Sequence, residues 1–255
     1  SQLASFPQAP HCRWRARHDF LNAYSYGHGN AFQQWYTQNS DYVTGEGRMG
    51  ISRGPGQSSS RGLQTRYPAN APSTPPEIRS RVCTHSSDTS SVLLSGAGGS
   101  ATFTTTNRPG CETLSYPITQ NDLSGSLTGT VISMQTTSVK GSSRWSWVEI
   151  RYDRRFQFDN ETQINFHWDN PFDTDARIQM TATGANNNDE VLLFDIANRR
   201  RITGLVQGGA VEFIVPKGQV AGETEFFFST SAASALQGNA MPKGPSNFEN
   251  YSAPD

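Results

Sequence analysis

Lysine is almost missing from this chain: three lysines stand among 255 residues, at 140, 217 and 243, and none in the first 81. That excludes a lysine-rich tail of the kind that coats nucleic acid, and the longest run of consecutive basic residues is only Arg199, Arg200 and Arg201. Cysteine is scarce too. Cys12, Cys83 and Cys111 allow one intramolecular bridge in three pairings, and no Cys-x-x-Cys or Cys/His spacing suggests zinc. Cys83 with Cys111 is the favoured pair, because both flank expected strands and the bridge closes a loop of ordinary size, contributing ~3 kcal/mol in the chain-entropy model. Cys12 is then free or paired between chains.

Long apolar runs are also missing, so no membrane-spanning helix is expected. No Gly-x-Ser-x-Gly elbow, phosphate loop, dinucleotide fingerprint or His-Glu-x-x-His is present, which argues against serine hydrolases, nucleotide enzymes and zinc proteases. No organic cofactor is expected. Hydrophobic residues make up only 34% of the chain, with Gly, Ser, Thr, Asn and Gln filling much of the rest, a balance that suits a loop-rich β protein. The chain starts at Ser1 without methionine, read as a removed leader or propeptide or a trimmed sequence.

What is present divides the sequence in two. Residues 1 to 81 carry nine arginines (13, 15, 17, 48, 53, 61, 66, 79, 81) against acids at 19, 41, 46 and 77, for +5, and the remainder sums to −6. The first 43 residues are dense in aromatics, and "GNAFQQWYTQNS" is expected to form a short helix capped by Asn30, with Phe32, Trp35 and Tyr36 on one face. From Gly45 to Arg81 the chain is rich in Gly, Ser, Pro and Arg, so residues 1–82 are read as an irregular arm packed on the body. Beyond it, runs of Val, Ile, Thr, Phe and Trp separated by turn residues predict strands near 90–95, 100–106, 125–137, 143–158, 161–169, 176–183, 190–195, 201–206, 210–216 and 223–230. The fold expected is all-β, an antiparallel β-sandwich of jelly-roll type over residues 83–240, with a tail from 241 to 255.

The sharpest feature is "SRWSWVEIRYDRRFQF". In an extended strand Trp145, Trp147, Glu149, Arg151 and Asp153 share one face. Flat indoles beside charged groups are what a sugar site needs, rings for stacking and ions for the hydroxyls. The next strand, "QINFHWDN", places Gln163 and His167 on one side. With a three-residue turn at 159–161, Asp153 faces His167 and Arg151 faces Asp169. Ordinary cross-strand pairing on a wet sheet face explains the same charges more plainly, each pair contributing ~0.2–1 kcal/mol.

Catalysis is less well supported. Glu149 and Asp153 lie about 13 Å apart along an extended strand, beyond either glycosidase separation. The remaining catalytic candidates are Glu149, Tyr152 and His167 as base, with Glu46 as the alternative partner to His167, and with Arg151 and Gln163 beside them if the chemistry is that of a lyase. Asp169, Asp173 and Asp175 in "DNPFDTDA", and Asn188, Asp189 and Glu190, offer oxygen ligands suited to calcium, although such runs also make plain turns.

The leading expectation is an extracellular protein that recognises a polysaccharide or glycan. Two glycosylation sequons, at Asn160 and Asn250, agree with secretion. The alternative is a viral coat or other shell-forming subunit, a homo-oligomer in a virion with nucleic acid as partner, whose first third reaches across its neighbours.

Overall fold

The computed structural model describes residues 2–21, 23–25, 47–84, 89–106, 110–125, 129–218, 220 and 222–230. The expected helix at Asn30–Tyr36, Glu46, the Asn250 sequon and the 241–255 tail lie outside them. The strands in chain order are β1 (Cys12–Asp19), β2 (Ala23–Ser25), β3 (Gly47–Met49), β4 (Ser58–Leu63), β5 (Glu77–Thr84), β6 (Ser90–Gly96), β7 (Gly99–Thr105), β8 (Gly110–Pro117) and β9 (Thr130–Thr136). They continue as β10 (Ser143–Arg154), β11 (Gln157–Glu161), β12 (Gln163–Trp168), β13 (Ala176–Thr183), β14 (Val191–Asp195), β15 (Arg200–Thr203), β16 (Leu205–Gln207), β17 (Ala210–Val215) and β18 (Thr224–Thr230). Only two short 3-10 turns, Gln2–Ser5 and Gln120–Asp122, interrupt the strands among the described residues. The protein is all-β with antiparallel sheets, as the alternation implies.

Two compact units are formed, one spanning Ala9–Gln157 with Phe166–Asn170, the other Ser1–Gln8, Phe158–Asn165 and Pro171–Asp255. In the larger, β1 and β5 flank the long β10, β8 extends the sheet beyond β5, and a second sheet runs β4, β9, β6, β7. Alternate residues of both sheets meet in a core that includes Ile78, Val82, Val92, Leu94, Ile132, Met134, Val148, Ile150 and Tyr152. Full burial of such side chains contributes about 1.5–3 kcal/mol each. Hydroxyls inside this core pair with one another, Thr65 with Thr130 at 2.9 Å and Thr84 with Thr105 at 2.9 Å, so few buried donors are stranded. Gly129 enters β9 at φ +73°, and a Cβ there would stand 2.2 Å from the Leu63 carbonyl oxygen, a position that only glycine fills.

The smaller unit pairs β14 with β15 and β18, and β13 with β17, around Ile178, Met180, Leu193, Phe213 and Phe228. Phe213 and Phe228 meet edge to face at 6.1 Å. Gln8 and Arg177 form a parallel bridge, so the first residues of the chain are tied to β13.

Two expectations are corrected here. The described part of residues 1–82 is not an irregular arm: β1, β4 and most of β5 lie within it and build both sheets of the larger unit. Their strand character is carried by arginine alternating with apolar or small residues, Arg13, Arg15 and Arg17 outward against Cys12 and Ala16 inward, a pattern that composition alone reads as loop. Nor do β10 and the strand after it form a hairpin. β11 intervenes and pairs beside β13, while β1, far away in sequence, takes the place next to β10.

Candidate functional site

The outward face of β10 is built by register. On one side Asp19, Arg17, Arg15 and Arg13 of β1 stand opposite Trp147, Glu149, Arg151 and Asp153. On the other, Arg81, Arg79 and Glu77 of β5 stand opposite Trp147, Glu149 and Arg151. The result is a lattice of ionic side chains with one indole at its edge.

Trp145 does not belong to it. The β10–β5 register slips between Trp145 and Trp147, so Trp145 faces Val82 and Trp147 faces the very next residue back, Arg81. This bulge reverses the parity of everything before it. Trp145 is 1% exposed in the core, stacked on Phe20 at 4.7 Å, with its indole N–H donated to the Ser80 hydroxyl, which donates in turn to the Trp147 carbonyl at 2.7 Å. The platform of two indoles is therefore reduced to Trp147, half-buried, with the Arg17 guanidinium 4.6 Å from its ring centroid.

Glu149 is the hub. Its side chain is 1% exposed, yet four guanidiniums reach it: Arg151 at 2.8 Å, Arg17 at 3.5 Å, Arg79 at 3.6 Å and Arg15 at 3.7 Å. Only the Arg151 contact has the length of a strong charge-assisted hydrogen bond. Arg17 is also held by Asp19 at 2.7 Å.

Asp153, 2% exposed, anchors the other end. One of its oxygens accepts from Arg13 at 3.1 Å; the other meets His11 Nε2 at 3.1 Å and accepts from the Ser73 amide at 2.7 Å and the Thr74 amide at 3.1 Å. His11 Nε2 also lies 3.0 Å from the Ser73 hydroxyl. A serine–histidine–carboxylate relay needs the two ring nitrogens to serve different partners. Here one nitrogen serves both, so the cluster ties down the 73–75 loop rather than activating Ser73.

Burial works against the ionisation of Asp153, but the hydrogen bonds from His11, Thr74 and Arg13 outweigh it and hold the carboxyl well below the usual carboxylate range. A depressed folded-state pKa stabilises the fold above the unfolded-state value and loses that contribution as pH falls through it. Stability measured by urea midpoint is therefore expected to decline from about pH 4 downward, and Asp153→Asn to start lower at neutral pH and decline less. An equal acid decline in both proteins would show that Asp153 is not responsible.

The other sequence candidates are scattered. His167 stands opposite Arg13 of β1, not opposite Asp153, so an arginine lies between the two groups expected to pair. Tyr152 points into the core and donates to the Arg66 carbonyl at 2.9 Å, on the face away from Glu149 and Arg151. Gln163 is exposed at the start of β12, within the smaller unit. Among the described residues no three His, Cys, Asp or Glu side chains gather as a metal site. Asp173 pairs with Lys217 Nζ at 2.8 Å, and Asp175 accepts the Lys217 amide at 3.0 Å, so the aspartates expected to bind calcium beside Asp169 act as loop fasteners there. Asp189 serves its own turn in the same way, accepting the Asn186 amide at 2.7 Å.

Sequence reasoning missed Arg13, Arg15, Arg17, Arg79 and Arg81 as site residues. The signal was available in their spacing of two, which places each set on one strand face. The Cys83–Cys111 bridge is present between β5 and β8, and Cys12 is a free buried thiol whose pKa burial pushes up to about 12, leaving it protonated and inert. Asn160 of the sequon is exposed near the end of β11, at φ +60°.

No family model and no curated protein matches the chain. Among solved structures it is similar to dimeric latent PorU from Porphyromonas gingivalis, at 12% identity and a TM-score of 0.59 over 89% of this chain and 21% of that one. The chain thus spans about a fifth of the length of that protein, and the likeness is one of fold alone.

Proposed function

We propose that the outward face of β1, β10 and β5 recognises an extracellular polysaccharide without cleaving it. The reading is carried by Trp147, a half-buried ring set among guanidiniums on the sheet face. An indole supplies apolar area for a pyranose face, and guanidinium N–H groups supply donors to hydroxyl or acidic substituents. Binding without cleavage follows from the carboxylates: Glu149 and Asp153 are both buried and already engaged by cations, which leaves neither free to act as acid, base or nucleophile. The disulfide between Cys83 and Cys111 agrees with an oxidising compartment. Trp147→Ala is expected to weaken retention on a polysaccharide affinity gel roughly five- to tenfold, by loss of stacking worth about 1 to 1.4 kcal/mol, with the fold intact by circular dichroism. Undiminished retention by the folded variant would remove the basis of this reading.

A further inference from the structure

We infer that the polysaccharide bound on this face is acidic, its sulfate or carboxylate groups seated on the guanidiniums that flank Glu149. The inference rests on the polysaccharide reading above and adds the chemistry of the ligand. By register the three strands present six arginines (13, 15, 17, 79, 81, 151) and four acids (19, 77, 149, 153), a difference of +2 within a chain whose net charge is −1. The solvent meets a larger imbalance than that. Glu149 and Asp153 are 1% and 2% exposed, so the acids that face outward are Asp19 and Glu77, and Asp19 is already bound to Arg17.

Glu149 cannot satisfy the cations gathered around it. Two carboxylate oxygens serve four guanidiniums, each with five N–H donors, and the contacts to Arg15 and Arg79 are 3.7 and 3.6 Å, too long for good hydrogen bonds. Arg15 and Arg79 have no other acid partner among the described residues, and Arg81 has none. Arg15 stands directly opposite Arg151 on the neighbouring strand, within roughly 5 Å at the backbone, and an anion seated between the two guanidiniums relieves their repulsion. Arginine, unlike lysine, offers a planar fork matched to sulfate and carboxylate oxygens. β1 and β5 lie on opposite sides of β10, about 10 Å apart, so Arg15 with Arg151 on one side and Arg79 with Arg81 on the other suit successive acidic groups of an extended chain crossing the strands. A single-stranded nucleic acid is the less suitable polyanion, because it is held by a series of rings on which successive bases stack, and this face has Trp147 alone.

The test uses the full chain and three probes of defined chemistry on a biosensor surface: dextran sulfate, polygalacturonate and uncharged dextran, with oligo(dT) as a fourth. Dextran sulfate, polygalacturonate or both are expected to bind, dextran to bind at least tenfold more weakly, and affinity to fall at least tenfold from about 50 to about 500 mM salt. Arg81→Gln removes no ion pair, so it is expected to fold unchanged and lose roughly tenfold affinity, as is Arg15→Gln, while Arg201→Gln in the smaller unit keeps full affinity. Equal binding of dextran and dextran sulfate, or full affinity in both arginine variants, would overturn the acidic ligand and leave the polysaccharide reading standing. Tighter binding of oligo(dT) than of either acidic polysaccharide would overturn both, as would failure of all three polysaccharides to bind.

Discussion

Trp145→Ala is expected to cost about 4 kcal/mol of stability, in the range for removing a buried aromatic, and Trp147→Ala less than about 1.5 kcal/mol. The two residues are the same type, two positions apart in one strand, and a strictly extended strand would treat them alike. The bulge does not. Trp145 fills the core against Phe20, so truncation opens a cavity the size of an indole and also strips the Ser80 hydroxyl of its donor. Trp147 loses only a half-buried ring and the guanidinium that lies over it. Urea midpoints of the two variants measure the difference directly. Equal midpoints would mean that the bulge is absent in solution and that both indoles share one environment.

The second large effect is at Glu149. Glu149→Gln keeps the shape but removes the charge that four guanidiniums converge upon, and breaking a buried ionic centre costs about 3 kcal/mol. The loss has a signature that a cavity lacks. The arginines left behind repel one another, so sodium sulfate is expected to restore part of the midpoint in Glu149→Gln and to shift Trp145→Ala no more than the wild type. A variant whose deficit is indifferent to sulfate would show that Glu149 acts by packing alone, and that the lattice around it is not under electrostatic load.

Much of the sandwich was legible because its strands announce themselves by alternation. Val92 and Leu94, Ile132 and Met134, and Val211, Phe213 and Val215 sit inward at every second residue, and the strands they define lie close to the expected spans. The disulfide was legible for a related reason, since Cys83 and Cys111 end adjacent strands that pair in register. β1 and β5 were not legible by hydrophobic count, because their outward positions are arginine and their inward ones include Ala16 and Ser80. Period two was there, but its polar half dominated the composition. The neighbour of β10 was illegible for a deeper reason. A hairpin with the following strand is the local default, whereas pairing with β1 joins residues more than a hundred positions apart, as in Arg15 with Arg151. That non-local pairing is what creates the site. From β10 alone one reads two tryptophans and a few charges; with β1 and β5 beside it, Glu149 becomes the centre of an arginine lattice and Trp145 drops into the core.

The most direct measurement of the central claim is an arginine-selective footprint: modification by a dicarbonyl reagent with and without saturating acidic polysaccharide, read residue by residue by mass spectrometry. Protection is predicted at Arg15, Arg17, Arg79, Arg81 and Arg151 together, with Arg199 and Arg201 labelled equally in both samples. Protection confined to Arg199–Arg201, or unchanged labelling across the β1, β10 and β5 face at saturation, would contradict it.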